Sequence, residues 1–468
     1  MKTQTRRVTQ ALIAGGILLG ANLAYADDRE EIEKLRALVQ ELDQKIKVLD
    51  RKSELAAEEA AAKKKETPIV TAGDKGFSLK SADGNFEFKL RGLLQADSRT
   101  FISDDGAAGV SGTDLDDEYL LRRVRPTFEG TLFGKYDFRF TPDFAPESPN
   151  VQDAYINARF QPWFKVQAGK FKVPVSLERL QSGSDLRFVE RSYVSNALLP
   201  NRDVGVQLHG DLFEGRLSYA GGVFDGVSDG GSNATNRDNG NSSGDKEFAA
   251  RIFAEPFKGQ ANLLAGLGFG IAGTTSDYKR DGFLNPTYRT PGQLALFTYN
   301  AEVAGDGKQT RIAPQLYYYY GPFGLISEYA RVKHDVVRGA NSDTLDHNGW
   351  QVSGTYVVSG EDNGFKGITP KRDFDLDKGG WGAWELALRY SELNLDDDAF
   401  DGPVGTRFAS AASSTKSAES WAAGLNWYLN KYVKLQTTYE QTKFDSAFNN
   451  VGDRETERVL FSRFQVAF

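Results

Sequence analysis

The last ten residues of the chain alternate between apolar and polar side chains. One face of residues 459–468 is apolar and ends in an aromatic residue, with Leu460, Phe464, Val466 and Phe468. Arg463 and Gln465 lie on the opposite face. A strand that is apolar on one side and charged on the other is typical of the wall of an outer-membrane β-barrel. This pattern predicts that strands of the same kind occur throughout the chain.

The same two-residue period recurs beyond Gly76 and predicts sixteen strands. They are residues 86–94, 120–133, 136–144, 151–160, 164–175, 204–213, 216–224, 247–257, 263–274, 311–320, 323–337, 349–358, 382–395, 420–430, 433–444 and 457–468. Short joins alternate with long polar loops, except that residues 359–380 are long where a short turn is due. The fold class is therefore all-β, a sixteen-stranded antiparallel transmembrane β-barrel, because strands in hydrocarbon must close into a sheet without edges. A barrel of about this size encloses an aqueous channel.

Composition excludes several other classes of protein. The mean hydropathy of −0.47 excludes a bundle of transmembrane helices. The absence of cysteine excludes disulfides, zinc–thiolate sites and thiol catalysis. The net charge of −7 argues against a nucleic-acid partner. No motif indicates a cofactor or a metal site.

The N-terminus predicts export to the bacterial outer membrane. Lys2, Arg6 and Arg7 precede an apolar stretch at residues 11–23, and Ala24-Tyr25-Ala26 has the form of a signal-peptidase site. Residues 1–26 are therefore predicted to be a signal peptide.

A heptad pattern predicts a coiled-coil helix over residues 27–56. Its apolar positions alternate steps of three and four: Ile32, Leu35, Val39, Leu42, Ile46 and Leu49. A lone amphipathic helix at the barrel mouth is the alternative. β-branched residues at a with Leu at d favour two helices, whereas porins are commonly trimers, and the pattern leaves that conflict open. Residues 57–76 are predicted to be a solvated linker, and residues 77–468 the barrel.

One long loop differs from the others because it is rich in apolar residues. Residues 176–203 are predicted to fold inward and narrow the channel; packing on the rim or at a subunit contact is the alternative. The loop supplies four candidate lumen cations, Arg179, Arg187, Arg191 and Arg202. It also holds the acids Glu178, Asp185, Glu190 and Asp203. From the charge count alone, strong anion selectivity does not follow.

Strand parity assigns further cations to the lumen wall. They are Lys89, Arg91, Arg123, Arg125, Arg139, Arg159, Arg251 and Arg389. The planar guanidinium matches phosphate and carboxylate oxygens in a bidentate way. Acids on the same faces, such as Glu129, Asp143 and Asp153, are expected to pair with about half of these arginines.

Several segments together resemble the phosphate-selective porin O and P family. They are residues 120–126 (LLRRVRP), 129–130 (EG), 167–174 (QAGKFKVP), 178–180 (ERL), 202–207 (RDVGVQ) and 382–385 (GAWE). The resemblance implies a sixteen-stranded trimeric outer-membrane porin that conducts phosphate or pyrophosphate past a ladder of arginines. Arg122 and Arg123 match the paired arginines that the family places on its second strand.

The predicted function is passive diffusion of small hydrophilic solutes, with a preference for anions such as phosphate. The predicted partners are these anions, outer-membrane lipid and two further copies of the chain. A structural anchor with a periplasmic coiled-coil tether and a non-selective pore are the alternatives. An enzyme is not predicted, because the three histidines, His209, His334 and His347, lie in no catalytic motif.

Overall fold

A computed structural model describes residues 27–73, 76–102, 116–147, 149–232, 245–278, 286–447 and 454–468. The predicted signal peptide lies outside these residues and stays a prediction. The chain divides into two units, residues 1–67 and 68–468.

The N-terminal unit contains one helix, α1 (Asp27–Glu66). The predicted seam residues from Ile32 to Leu49 are each between 49% and 65% exposed, so no described residue of the N-terminal unit covers this apolar stripe. The helix ends ten residues later than predicted, because residues 57–65 are mostly Ala, Glu and Lys, which are strong helix formers. The predicted linker is therefore helical up to Glu66, and a strand begins within it at Ile69. No described helix combines the length and apolar character that a transmembrane helix needs.

Sixteen of the strands in the described chain form the barrel, which confirms the predicted fold class and strand count. They are β3 (Glu87–Phe101), β4 (Glu118–Leu132), β5 (Tyr136–Asp143), β6 (Asn150–Gln161), β7 (Phe164–Lys172), β8 (Arg202–Leu212), β9 (Leu217–Phe224), β10 (Glu247–Ala254), β11 (Leu267–Tyr278), β14 (Ala304–Tyr320), β15 (Phe323–Arg338), β16 (Asn341–Val357), β17 (Ala383–Asn394), β18 (Thr415–Tyr428), β19 (Val433–Ser446) and β20 (Glu457–Ala467). Each pairs antiparallel with its neighbour. The pairing of β20 with β3 closes the sheet.

Four short strands lie outside this ring. β1 (Ile69–Gly73) and β2 (Gly76–Lys80) form a hairpin, and β2 pairs with the start of β3 beyond the end of β20. β12 (Thr287–Arg289) and β13 (Ala295–Thr298) pair within the loop between β11 and β14. The backbone N–H of Gly92 donates to the carbonyl of Phe468 at 3.0 Å, so the last residue is held against β3.

The two faces of the wall follow the predicted parity. Leu388 on β17 is 65% exposed on the outside, whereas its neighbour Arg389 is buried inside. On β20, Phe464 is exposed, and Arg463 forms a buried ion pair with Asp97 at 2.6 Å. A barrel with apolar residues outside and polar residues inside suits lipid around it and water within.

Most turns at the periplasmic end are short. Gly134 and Gly215 have φ angles of 66° and 79°. Residues with a side chain rarely adopt such angles, so glycine at these positions allows a tight reversal of the chain. The predicted exception is present in the structure. Residues 358–382, called here the long turn, join β16 to β17 without altering the strand count.

Candidate pore constriction

Residues 173–201, between β7 and β8, form an inner loop that folds into the barrel as predicted. It contains the short helix α2 (Leu177–Leu180) and a π-helical turn (Val194–Leu198). Its apolar side chains are buried: Val175 and Leu198 pack in a cluster that includes Ala330 of β15. Val189 packs against Val459 and Phe461 of β20. The apolar content of the loop is thus satisfied by the inner wall of the barrel.

Polar side chains of strands β14 to β20 fix the inner loop. The carboxylate of Glu328 accepts hydrogen bonds from the backbone N–H groups of Leu177 and Glu178 at the start of α2. Asn426 donates to the carbonyl of Arg187 at 3.0 Å, and Arg389 donates to that of Glu190 at 2.9 Å. These contacts hold the loop against the wall formed by strands β14 to β20.

The long turn also enters the lumen and touches the inner loop. Gln181 donates to the carbonyl of Phe365 at 2.8 Å, and Arg187 donates to that of Gly364 at 2.7 Å. The ring of Phe365 stacks on Tyr317 of β14 with centroids 5.5 Å apart. The length of this turn is explained because it forms part of the constriction.

Two cavities lie beside strands β3 to β8. The extracellular cavity measures about 700 Å³ and the periplasmic cavity about 830 Å³. Arg125, Lys172, Arg202 and Gly183 line both of them. These shared residues therefore mark the place where the two cavities adjoin.

Charges in both cavities are mainly positive. Eight cations and two carboxylates line the extracellular cavity: Arg122, Arg123, Arg125, Lys170, Lys172, Arg179, Arg191 and Arg202, with Asp143 and Glu190. Nine cations and two carboxylates line the periplasmic cavity: Lys89, Arg91, Arg125, Arg139, Lys172, Arg202, Lys366, Lys431 and Lys434, with Asp153 and Asp185. The barrel presents a cationic path although the whole chain is acidic.

A β-bulge places two adjacent arginines in the lumen. Gln95 of β3 pairs with Arg123, but the next residue, Ala96, pairs with Leu121, so Arg122 is the extra residue of β4. Strict alternation would send Arg122 to the lipid side. The bulge re-aims it, and both arginines line the extracellular cavity.

Three of the arginines that line the extracellular cavity have carboxylate partners, and in the periplasmic cavity Arg91 and Arg139 share Glu129. Arg122 pairs with Glu190 at 2.6 Å, Arg125 with Asp143 at 2.7 Å, and Arg202 with Asp153 at 2.9 Å. The first pair is bidentate, since a second nitrogen of Arg122 lies 3.2 Å from the other oxygen of Glu190. Burial alone would raise the pKa of Glu190, but Arg122 and its neighbours hold that pKa well below the usual range.

Four other lining cations have no carboxylate within 4.0 Å in the described part of the chain: Arg123, Lys172, Arg179 and Arg191. Their hydrogen bonds go to neutral acceptors. Lys172 donates to the carbonyl of Gln181 at 2.8 Å, and Arg179 donates to that of Ser195 at 2.8 Å. These contacts orient the cations without neutralising them.

The acids of the inner-loop region do not offset its arginines in the cavity. Glu178 accepts from Ser192 and Ser195 and lies 3.7 Å from Arg389 of β17, and Asp203 accepts from the backbone of Gly226. Asp185 lines the periplasmic cavity, and Glu190 lines the extracellular one. The equal numbers of acids and arginines in residues 176–203 thus do not describe the charge that faces the channel.

The structure brings together nine of the twelve predicted site residues. Those lining a cavity are Arg122, Arg123, Arg125, Arg139, Arg179, Arg191, Arg202, Lys89 and Arg91. The other three line neither. Arg187 is buried against Glu385, Arg159 pairs with Asp137 at the periplasmic end, and Arg251 bonds to Gln315.

Sequence reasoning missed five lysines: Lys170, Lys172, Lys366, Lys431 and Lys434. Lys170 and Lys172 lie in a segment that carries the family resemblance, and Lys434 has lumen parity on β19, so signals for these three existed. Lys366 lies in the long turn, where strand parity gives no information. None of the three histidines lines either cavity.

A closed barrel with an inward-folded loop and a cationic passage defines a channel of the outer-membrane porin class. More narrowly, the chain belongs to the phosphate-selective porin O and P family, whose sequence model matches residues 88–468. It is similar to Porin O of Pseudomonas aeruginosa, with 25% identity over 430 residues that cover 86% of this chain and 92% of that protein. The family resemblance is confirmed, and the protein is a channel of the bacterial outer membrane.

Solved structures share the fold. The outer-membrane channel DcaP of Acinetobacter baumannii has a TM-score of 0.52 at 12% identity, covering 86% of this chain and all (100%) of that one. A loop-deletion mutant of OmpT from Vibrio cholerae has a TM-score of 0.50 at 10% identity, covering 82% of this chain and all (100%) of that one.

Proposed function

We propose that the channel conducts small anions in preference to cations and that inorganic phosphate is among them. The observation that carries the proposal is the group of four lining cations with no carboxylate within 4.0 Å among the described residues. Arg123, Lys172 and Arg191 stand beside Arg179 around one cavity. Like charges crowded at a narrow point create a field that attracts anions and excludes cations.

Phosphate fits this passage because of the chemistry of its partners. Arginine binds phosphate oxygens with two parallel N–H groups, and lysine binds them as a compact charge. The cations of the two cavities follow one another along the passage, with Arg125, Lys172 and Arg202 common to both. Several weak sites in series let an ion enter and also leave.

The test is a reversal potential measured across a planar bilayer in a KCl gradient. We expect a reversal potential whose sign shows that chloride is more permeant than potassium. We also expect millimolar phosphate to block the chloride current. A potential that favours potassium would contradict the anion preference. A chloride preference without block by phosphate would restrict the function to general anion diffusion.

We also propose that three copies assemble and that α1 contributes to their association. The exposed seam on α1, from Ile32 to Leu49, supports this because an unpartnered heptad stripe is stabilised by copies of itself. Deleting residues 27–66 should weaken the oligomer seen by chemical cross-linking and leave the conductance per pore unchanged. Loss of conductance with an intact oligomer would contradict this role for α1.

A further inference from the structure

Glu190 is the one carboxylate of the inner loop that lines the extracellular cavity. Its two oxygens lie 2.6 and 3.2 Å from two nitrogens of Arg122, so it binds one edge of the guanidinium in a bidentate way. A fork of this kind accepts phosphate in the same geometry. The chain therefore places a carboxylate where a solute oxyanion would bind.

The backbone of Glu190 is held by a hydrogen bond to the barrel wall. Its backbone carbonyl accepts from Arg389 at 2.9 Å, and Arg389 is held in turn by both oxygens of Glu440, each at 3.1 Å. The contact with Arg122 involves only the end of the side chain. The carboxylate can be changed without removing the bonds that hold the backbone of the loop.

The partner of Glu190 is also fixed. Arg122 is the extra residue of the bulge in β4, and Arg123 beside it has no carboxylate partner in the described chain. Without Glu190, two adjacent guanidinium groups would face the same cavity unneutralised. Such a pair would hold a divalent oxyanion more tightly than either group alone.

We propose that Glu190 is an internal competitor for solute oxyanions at Arg122 and that it sets how tightly the constriction holds phosphate. The inference rests on the proposed anion conduction. A passing phosphate displaces the carboxylate from the fork, and the carboxylate returns as the phosphate leaves. The exchange keeps residence short, because conduction needs a site that releases its ion as readily as it binds it.

The experiment uses the full-length protein in planar bilayers, with inorganic phosphate as the blocker of chloride current. In Glu190→Gln the amide oxygen still accepts one hydrogen bond from Arg122, but the charge is lost. We expect the phosphate concentration for half-block to fall about tenfold, the effect typical of a bond to a charged group. Glu190→Asp keeps the charge on a shorter arm, and we expect an intermediate value.

The matched control is Glu178→Gln. It removes the same charge from the same loop, but Glu178 bonds to Ser192 and Ser195, lies 3.7 Å from Arg389 of β17 and lines neither cavity. We expect its half-block concentration to stay within about twofold of the wild type, because its carboxylate occupies no guanidinium fork that lines either cavity. Heat-modifiable migration on gels verifies that each variant is folded.

The outcomes separate the two proposals. If the wild type is blocked by phosphate and Glu190→Gln is blocked no more tightly, the competitor role is overturned and the anion channel stands. If the wild type is not blocked but Glu190→Gln is, the competitor role is supported in its strongest form. If neither is blocked, or if Glu178→Gln tightens block equally, the inference is overturned.

Discussion

The carboxylate of Glu328 on β15 accepts a hydrogen bond from the backbone N–H of Glu178 at 2.9 Å. The same carboxylate accepts from the N–H of Leu177, so it caps the first turn of α2 from across the lumen. The free N–H groups at a helix start favour a negative partner. This contact joins the inner loop to the wall far from the point where the loop leaves the barrel.

Replacing Glu328 by Gln should loosen the inner loop. One amide oxygen can replace only part of the carboxylate, and leaving a buried N–H without its acceptor costs about 1–3 kcal/mol. We expect a larger and noisier single-channel conductance, measured in planar bilayers in 1 M KCl. Glu392→Gln is the control, because Glu392 lies on the outer face of β17 and accepts from Trp350 there. Equal conductance in both variants and the wild type would show that Glu328 does not hold the constriction.

Replacing Arg123 by Ala should reduce anion preference more than stability. Arg123 lines the extracellular cavity and has no carboxylate partner in the described residues, so its charge acts on passing ions. A unit charge about 4 Å from an ion contributes roughly 1 kcal/mol even in bulk water, which corresponds to about a fivefold change in the permeability ratio. Reversal potentials in dilute KCl measure that ratio.

Arg159→Ala is the control for this measurement. Arg159 is a lumen-parity arginine that pairs with Asp137 and lines neither cavity. The Arg159→Ala variant should have the same chloride-to-potassium permeability ratio as the wild type. An equal fall in both variants would mean that the preference arises from total charge rather than from the constriction.

The barrel was predictable because the difference between its two environments is repeated at every second residue. Leu388 faces lipid and Arg389 faces the lumen, and the same alternation of apolar and polar residues recurs on each strand. The inner loop was predictable for a similar reason, since apolar residues such as Val189 and Leu198 need a surface to pack on. A pattern that recurs along the chain can be detected without knowing which strands are neighbours.

The electrostatics of the constriction were not predictable in the same way. Glu178 contacts two serines of its own loop and Arg389 of β17, and a count of charges in the loop does not show which of these partners it will meet. The bulge at Arg122 also breaks the parity on which the assignment of lumen residues relied. The end of α1 was misplaced because helix-forming residues and a solvated linker share the same Ala-, Glu- and Lys-rich composition.

An ion cluster that joins an extracellular loop to the barrel wall should be resistant to mild acid. Asp229 lies 2.8 Å from Arg311 and accepts from Tyr288 at 2.8 Å. Burial alone would raise the pKa of Asp229, but His334 and Arg311 hold that pKa well below the usual range. A lowered pKa in the folded state means that the contribution to stability is complete above the unfolded value of about 3.9 and is lost as the pH falls towards the folded value.

Limited proteolysis of the loops between pH 7 and pH 3 measures this contribution. We expect the cleavage rate to be flat down to about pH 5, below which the unfolded carboxylate begins to bind protons. Asp229→Asn should destabilise the loops at pH 7 by about 3 kcal/mol, the lower end of the range for breaking a buried pair. The lower end applies because Glu247 still pairs with Arg311. Faster cleavage of the wild type at pH 5 than at pH 7 would contradict the assignment.

A charge placed on the outer wall should destabilise the barrel according to its depth in the membrane. Leu388 lies in the middle of β17 on the lipid side, whereas Leu132 is the last residue of β4 beside a periplasmic turn. Arginine costs about 2–4 kcal/mol at the bilayer midplane and about 0–1 kcal/mol near the interface. Leu388→Arg should therefore lower the free energy of unfolding several times more than Leu132→Arg does. Denaturant unfolding of the two variants in lipid vesicles measures this difference. Similar losses in the two variants would mean that depth in lipid does not set the cost, and that the outer face of β17 is covered by protein in the assembled state.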